Sequence, residues 1–144
     1  MRRAARALVL ATAVSGLMSA TALAGAGGVP AVPLNNGQET TDAKFGGSGS
    51  FSWRVDGAGI CYELSVRRLT SPAFAAHIHG VAGRTEAAGI VVPLLPPTGA
   101  TGSRSECVGV EAGLLAAIIA NPGNYYVNVH TTAFPGGEVR GQLK

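Results

Sequence analysis

From Phe51 to Val66 the chain alternates apolar and polar residues with a period of two, broken once by Asp56-Gly57-Ala58-Gly59. Phe51, Trp53 and Val55 alternate with Ser52 and Arg54, and Ile60, Tyr62, Leu64 and Val66 alternate with Cys61, Glu63, Ser65 and Arg67. A period of two is the mark of a half-buried strand, and two such runs around a glycine-rich turn make a β-hairpin. The same reading places strands over 74–79, 89–95 and 104–110, the second carrying Pro93 and stopped by Pro96-Pro97. Residues 111–120 break the pattern. Leu114, Leu115, Ile118 and Ile119 have helical spacing, and Asn121-Pro122-Gly123 supplies the stop. Runs at 125–131 and 138–143 form a closing hairpin around Ala133-Phe134-Pro135-Gly136-Gly137. The expected fold class is therefore all-β, an antiparallel Greek-key-like β-sandwich or flattened barrel with one short helix near 111–120. Phe51, Trp53, Tyr62 and Tyr125 are its expected core aromatics.

The N-terminus follows a different logic. Arg2, Arg3 and Arg6 precede the apolar run from Ala7 to Leu17, and Ala22-Leu23-Ala24 is a small-x-small cleavage signal. Residues 1–24 thus read as a secretory signal peptide, and the apolar run is too short for a membrane span. Residues 25–33, rich in Gly and Pro, read as a flexible lead-in to one domain over 34–144. Removing the leader takes three arginines from the eleven basic residues, so eight basic face eight acidic residues. The mature chain has no net charge, and the composition gives no reason to expect nucleic acid or anionic lipid as a partner. The expected location is secreted or periplasmic, with no membrane span in the mature chain. In that oxidising setting Cys61 and Cys107, the two cysteines, are expected to pair. The bond would close a loop of roughly 45 residues, worth about 4 kcal/mol in the chain-entropy model.

All three histidines lie in two strand-like motifs, Ala76-His77-Ile78-His79-Gly80 and Tyr126-Val127-Asn128-Val129-His130-Thr131. Alternate strand residues share a face, so His77 and His79 point opposite to the apolar Ile78, and His130 points opposite to Val127 and Val129. The three imidazoles agree in direction, on what reads as the outer surface of the sheet. Three neutral imidazoles suit Cu(II), Zn(II) or Fe(II) and leave an open coordination position. Across Gly136-Gly137, His130 should lie near Glu138, Asn128 near Arg140 and Tyr126 near Gln142, because opposite residues of an antiparallel pair share a face. Asn128, Glu138 and Arg140 are then candidates to orient the imidazoles. Ser103 and Ser105 have no histidine at triad spacing, and Phe45-Gly46-Gly47 lacks the lysine of a phosphate loop.

Two segments carry a family likeness. Ala75-Ala76-His77-Ile78-His79-Gly80-Val81-Ala82-Gly83 and the stretch from Tyr126-Val127-Asn128-Val129-His130 through Pro135-Gly136-Gly137-Glu138-Val139-Arg140-Gly141-Gln142-Leu143 resemble the two signature blocks of the CHRD domain. Gly37-Gln38-Glu39 is similar to its opening motif. The resemblance implies an extracellular module of β-sandwich type, of the kind that occurs singly in secreted bacterial proteins. The cysteines lie outside these blocks, so their pairing rests on the compartment argument alone. A fainter similarity is to copper/zinc superoxide dismutase, where His77, His79 and His130 would take three copper-ligand positions. It leaves no histidine for the bridging ligand or a zinc subsite, and Arg140 would be the residue to guide an anion.

The functional expectation is a secreted binding or structural module with a His77/His79/His130 site for one copper or zinc ion, copper favoured, acting on an unidentified extracellular or envelope protein. The alternatives are a small metalloenzyme of superoxide dismutase-like type and a metal-free extracellular interaction module. No residue is assigned a catalytic role.

Overall fold

A computed structural model describes residues 30–44 and 46–144. The expected signal peptide over 1–24 lies outside the described residues, as does most of the lead-in. The strands are β1 (Val32–Asn35), β2 (Ser48–Asp56), β3 (Gly59–Arg67), β4 (Ala73–His79), β5 (Ile90–Leu94), β6 (Gly102–Gly109), β7 (Tyr126–Thr131) and β8 (Val139–Gln142). Among the described residues one α-helix, α1 (Ala112–Ala120), precedes β7. All strand pairs are antiparallel and form a single sheet in the order β5-β4-β7-β8-β1-β2-β3-β6, which curls into a nearly closed barrel. The expected fold class is the observed one.

The β2–β3 hairpin pairs Phe51 with Leu64, Trp53 with Tyr62 and Asp56 with Gly59. Gly57 sits at φ +56, a conformation that a turn this tight demands and that costs glycine little. Inward residues of both halves of the sheet fill one core, with Phe51, Ile60, Leu64, Ile78, Val127 and Val129 fully buried. Trp53, Tyr62 and Tyr125 join it. The Glu111 carboxylate accepts from the backbone N–H groups of Gly113 and Leu114, both at 2.9 Å, and so caps α1, whose Leu115 and Ile118 turn onto the core. Tyr62 of β3 reaches across to the end of the edge strand β5, where its hydroxyl donates to the carbonyl of Leu95 and accepts from its N–H.

Cys61 and Cys107 are bonded. They stand directly opposite one another in the β3–β6 register with Cα atoms 3.9 Å apart, which ties an edge strand to its neighbour. No helix among the described residues is long and apolar enough to cross a membrane.

Two features differ from expectation. Strand β1 begins at Val32, within the segment read as lead-in, and Val32 and Leu34 are both core residues. The second difference concerns the polar face of β7. It is covered rather than being an outer surface: all six residues of the strand are buried. The cover is the 80–89 connection, whose main chain is bonded from below by Arg140 and Tyr126.

Candidate metal centre

The site is built on β4 and β7. Their register sets Ala75 opposite His130, His77 opposite Asn128 and His79 opposite Tyr126, with an irregularity between Ala73 and Ala75 that displaces Phe74. Period-two geometry then brings His77, His79 and His130 onto one face, and their ligating nitrogens all lie within 4.8 Å of one another. His79 and His130 are each 7% exposed, and His77 is half-buried at the opening. This trio could hold a metal ion. A tetrahedral ion with nitrogen ligands at about 2.0–2.1 Å places those nitrogens about 3.3 Å apart. The present spread brackets that spacing, since one pair stands at 2.9 Å.

Hydrogen bonding fixes which nitrogen of each ring is free. His79 Nδ1 donates to the carbonyl of Ala88 at 2.9 Å, and His130 Nδ1 donates to that of Pro135 at 2.8 Å. A carbonyl only accepts, so both rings carry their proton on Nδ1 and present a bare Nε2 lone pair. His130 Nε2 accepts from His77 Nδ1. His79 Nε2, buried, has no partner among the described residues. Two of the three rings are thus held by main-chain carbonyls in the tautomer a metal requires, an arrangement that metal-bound histidines share. His77 must move its proton to Nε2 before its inward nitrogen can ligate.

Burial keeps all three rings neutral. It pushes His77 down to about 4, with further lowering from His130 and His79. Burial also lowers His79 and His130, opposed in each by the carbonyl that accepts from its Nδ1.

A stack supports His79 from the side. Its ring lies parallel to that of Tyr126, 3° between planes and 4.7 Å between centroids. The Arg140 guanidinium carbon sits 3.2 Å from the Tyr126 ring centre. Strands β4 and β8 flank β7, so cation and imidazole take opposite faces of the same phenol. Arg140 has no exposed surface. Its Nη1 donates to the carbonyl of Glu86 at 2.7 Å and its Nη2 to that of Gly83 at 2.6 Å. It ties down the covering connection and does not face the opening, where an anion-guiding residue would have to stand.

The other two polar candidates divide. Asn128 occupies the centre of the cluster, 2% exposed and opposite His77. The Glu138 carboxylate turns away: Oε1 accepts from the N–H of Thr70 and Oε2 from the hydroxyl of Thr131, both at 2.6 Å. It fixes the loop that carries Pro135, and so acts on His130 only through that loop.

Three contributors escaped the sequence reading. Ala88 and Pro135 act through carbonyls, which any residue type would supply, so composition carries no signal for them. Glu39 is a buried carboxyl beside Asn128, and burial raises it to about 7 against the lowering pull of Arg140. Its signal was its place in Gly37-Gln38-Glu39. A wide groove of about 730 Å³ lined by Trp53, Glu63 and Glu106 lies on β2, β3 and β6, strands that carry no histidine.

Against known proteins, the family model for the CHRD domain matches residues 8–143, nearly the whole chain. No curated protein and no solved structure matched it.

Proposed function

Because the chain belongs to the CHRD domain family, we propose that it works outside the cytoplasm as a binding module whose His77, His79 and His130 hold one transition-metal ion, copper favoured. The observation that carries this reading is the pair of imidazoles locked in the Nδ1–H tautomer by Ala88 and Pro135, with one Nε2 lone pair buried and unpartnered among the described residues. An unmet buried acceptor costs about 1–3 kcal/mol, and a bound cation removes that cost. Imidazole donors suit copper and zinc over the hard cations that prefer oxygen. The leader-like N-terminus and the Cys61–Cys107 bond support an oxidising compartment. Holding fits better than turnover of an anion, because Arg140 is consumed by the Gly83 and Glu86 carbonyls.

A metal-free interaction module is the second reading. The direct His77–His130 hydrogen bond favours it, since it already satisfies one of the inward lone pairs. Titrating the mature protein with Cu(II) and with Zn(II), beside His130→Ala, separates the two. The metal reading expects one equivalent in the wild type and a fall in the variant larger than the roughly 10–100-fold that outer-shell partners are worth. Equal uptake by both proteins overturns it and leaves the metal-free module.

A further inference from the structure

We infer that Asn128 is a fourth donor, its carboxamide oxygen closing the histidine site into a cage of three nitrogens and one oxygen. This rests on the metal reading above and goes further, because it fills the position that three histidines leave open.

The register places Asn128 directly opposite His77 and two residues from His130 on the same strand, while His79 stands opposite the adjoining Tyr126. The four side chains therefore occupy neighbouring positions of one sheet face. Asn128 is 2% exposed, and its Oδ1 has no partner among the described residues.

The orientation of the amide follows from what lies behind it. A Cβ added at Gly137, where φ is +126, would stand 2.8 Å from Asn128 Nδ2 and 2.5 and 2.7 Å from the two Glu39 oxygens. Amide nitrogen and carboxylate thus share that corner, which is open only because residue 137 is glycine. A hydrogen bond from Asn128 favours the ionised Glu39 carboxyl, which only accepts, so the amide nitrogen lies on the Glu39 side. That turns Oδ1 the other way, toward His79, with which Asn128 is within hydrogen-bonding reach.

Two buried acceptors, Asn128 Oδ1 and His79 Nε2, are then left in one small polar region with no donor for either among the described residues. A cation satisfies both at once. A water molecule donating one hydrogen to each is the competing occupant. A fourth protein donor makes the site closed, as structural metal sites are, in contrast to catalytic ones that keep a position for substrate.

Cobalt(II) is the probe, since its visible absorption reports coordination number, with azide as the outside ligand. The wild type should take up one Co(II) with a four-coordinate spectrum that azide does not change. Asn128→Ala should bind Co(II) at least about tenfold more weakly, and its spectrum should shift with azide. Asn128→Asp retains an oxygen donor and should stay silent to azide, which keeps the comparison available if the alanine variant does not fold. An azide response in the wild type equal to that of Asn128→Ala overturns the inference, as does unchanged affinity and spectrum in Asn128→Ala, the result expected of a bound water. Failure of the underlying metal reading looks different: wild type and His130→Ala then take up Co(II) equally, or neither takes it up, and both proposals fall together.

Discussion

Replacing Arg140 with methionine keeps much of the side-chain volume and removes the guanidinium that fastens the 80–89 connection over the site. Two hydrogen bonds from a charged donor are lost, to Glu86 at 2.7 Å and Gly83 at 2.6 Å. At about 1.5–3 kcal/mol each they sum to roughly 3–6 kcal/mol. The desolvated cation–π contact with Tyr126 adds about 2 kcal/mol. Against this, methionine is spared the several kcal/mol of burying a charge, and Arg140 Nε is buried without a partner among the described residues. The freed carbonyls can also reach water if the connection lifts. The expected net loss is about 2–4 kcal/mol. With a urea m-value of roughly 1–2 kcal/mol/M for a domain of this size, the midpoint should fall by about 1–4 M. Amide exchange should quicken at Ala88, whose N–H is bonded to the Tyr126 hydroxyl, because that contact sits beneath the same connection. Arg140→Lys keeps the charge without the two-pronged geometry and should fall between the two. A loss under about 1 kcal/mol with unchanged exchange at Ala88 would refute the argument that Arg140 holds the cover down.

Two further outcomes follow from the same structure. Removing the disulfide with Cys61→Ala/Cys107→Ala should lower stability by about 4 kcal/mol for a sequence separation of 46, read from urea unfolding against the wild type with and without reductant; a change below about 1 kcal/mol would show that strand pairing alone holds β6. Stability should peak near pH 6.5. The histidines are lowered in the fold, so their contribution is present above 6.5 and declines as pH falls below it, for His77 down to about 4, whereas Glu39 is raised to about 7, so its contribution is complete below 4.5 and lost as pH rises through 7. Thermal midpoints from pH 4 to 8 check this; Glu39→Gln should abolish the decline on the alkaline side, and a wild-type midpoint that keeps rising beyond 7 contradicts the assignment.

Local pattern carried the closing hairpin to the residue. Tyr126 faces Gln142 and Asn128 faces Arg140 as expected, because a period of two and a glycine turn together leave little freedom of register. The direction of the histidines was legible for the same reason, since Ile78, Val127 and Val129 had to face the core. Their burial was not. Alternation tells which face a residue takes and says nothing about a connection folding back over it, and here the fastening runs from Arg140 to main-chain carbonyls 54 and 57 residues away. Strand β1 escaped because Pro33 argues against a central strand. The structure accommodates it by pairing β1 with β8 only at Asn35, beyond the proline, while Pro33 lies against Ser50 of β2.

The position of β8 has a kinetic consequence. It lies between β7 and β1, joining the β5-β4-β7 half of the sheet to the β1-β2-β3-β6 half, and its partner Asn35 is more than a hundred residues earlier in the chain. The two halves can begin to pair as they are made, but the barrel cannot be assembled until its last four-residue strand, Val139–Gln142, is free to enter the middle. Such long-range closure is slow relative to local pairing. A chain with this topology keeps its two half-sheets unjoined until β8 has been made.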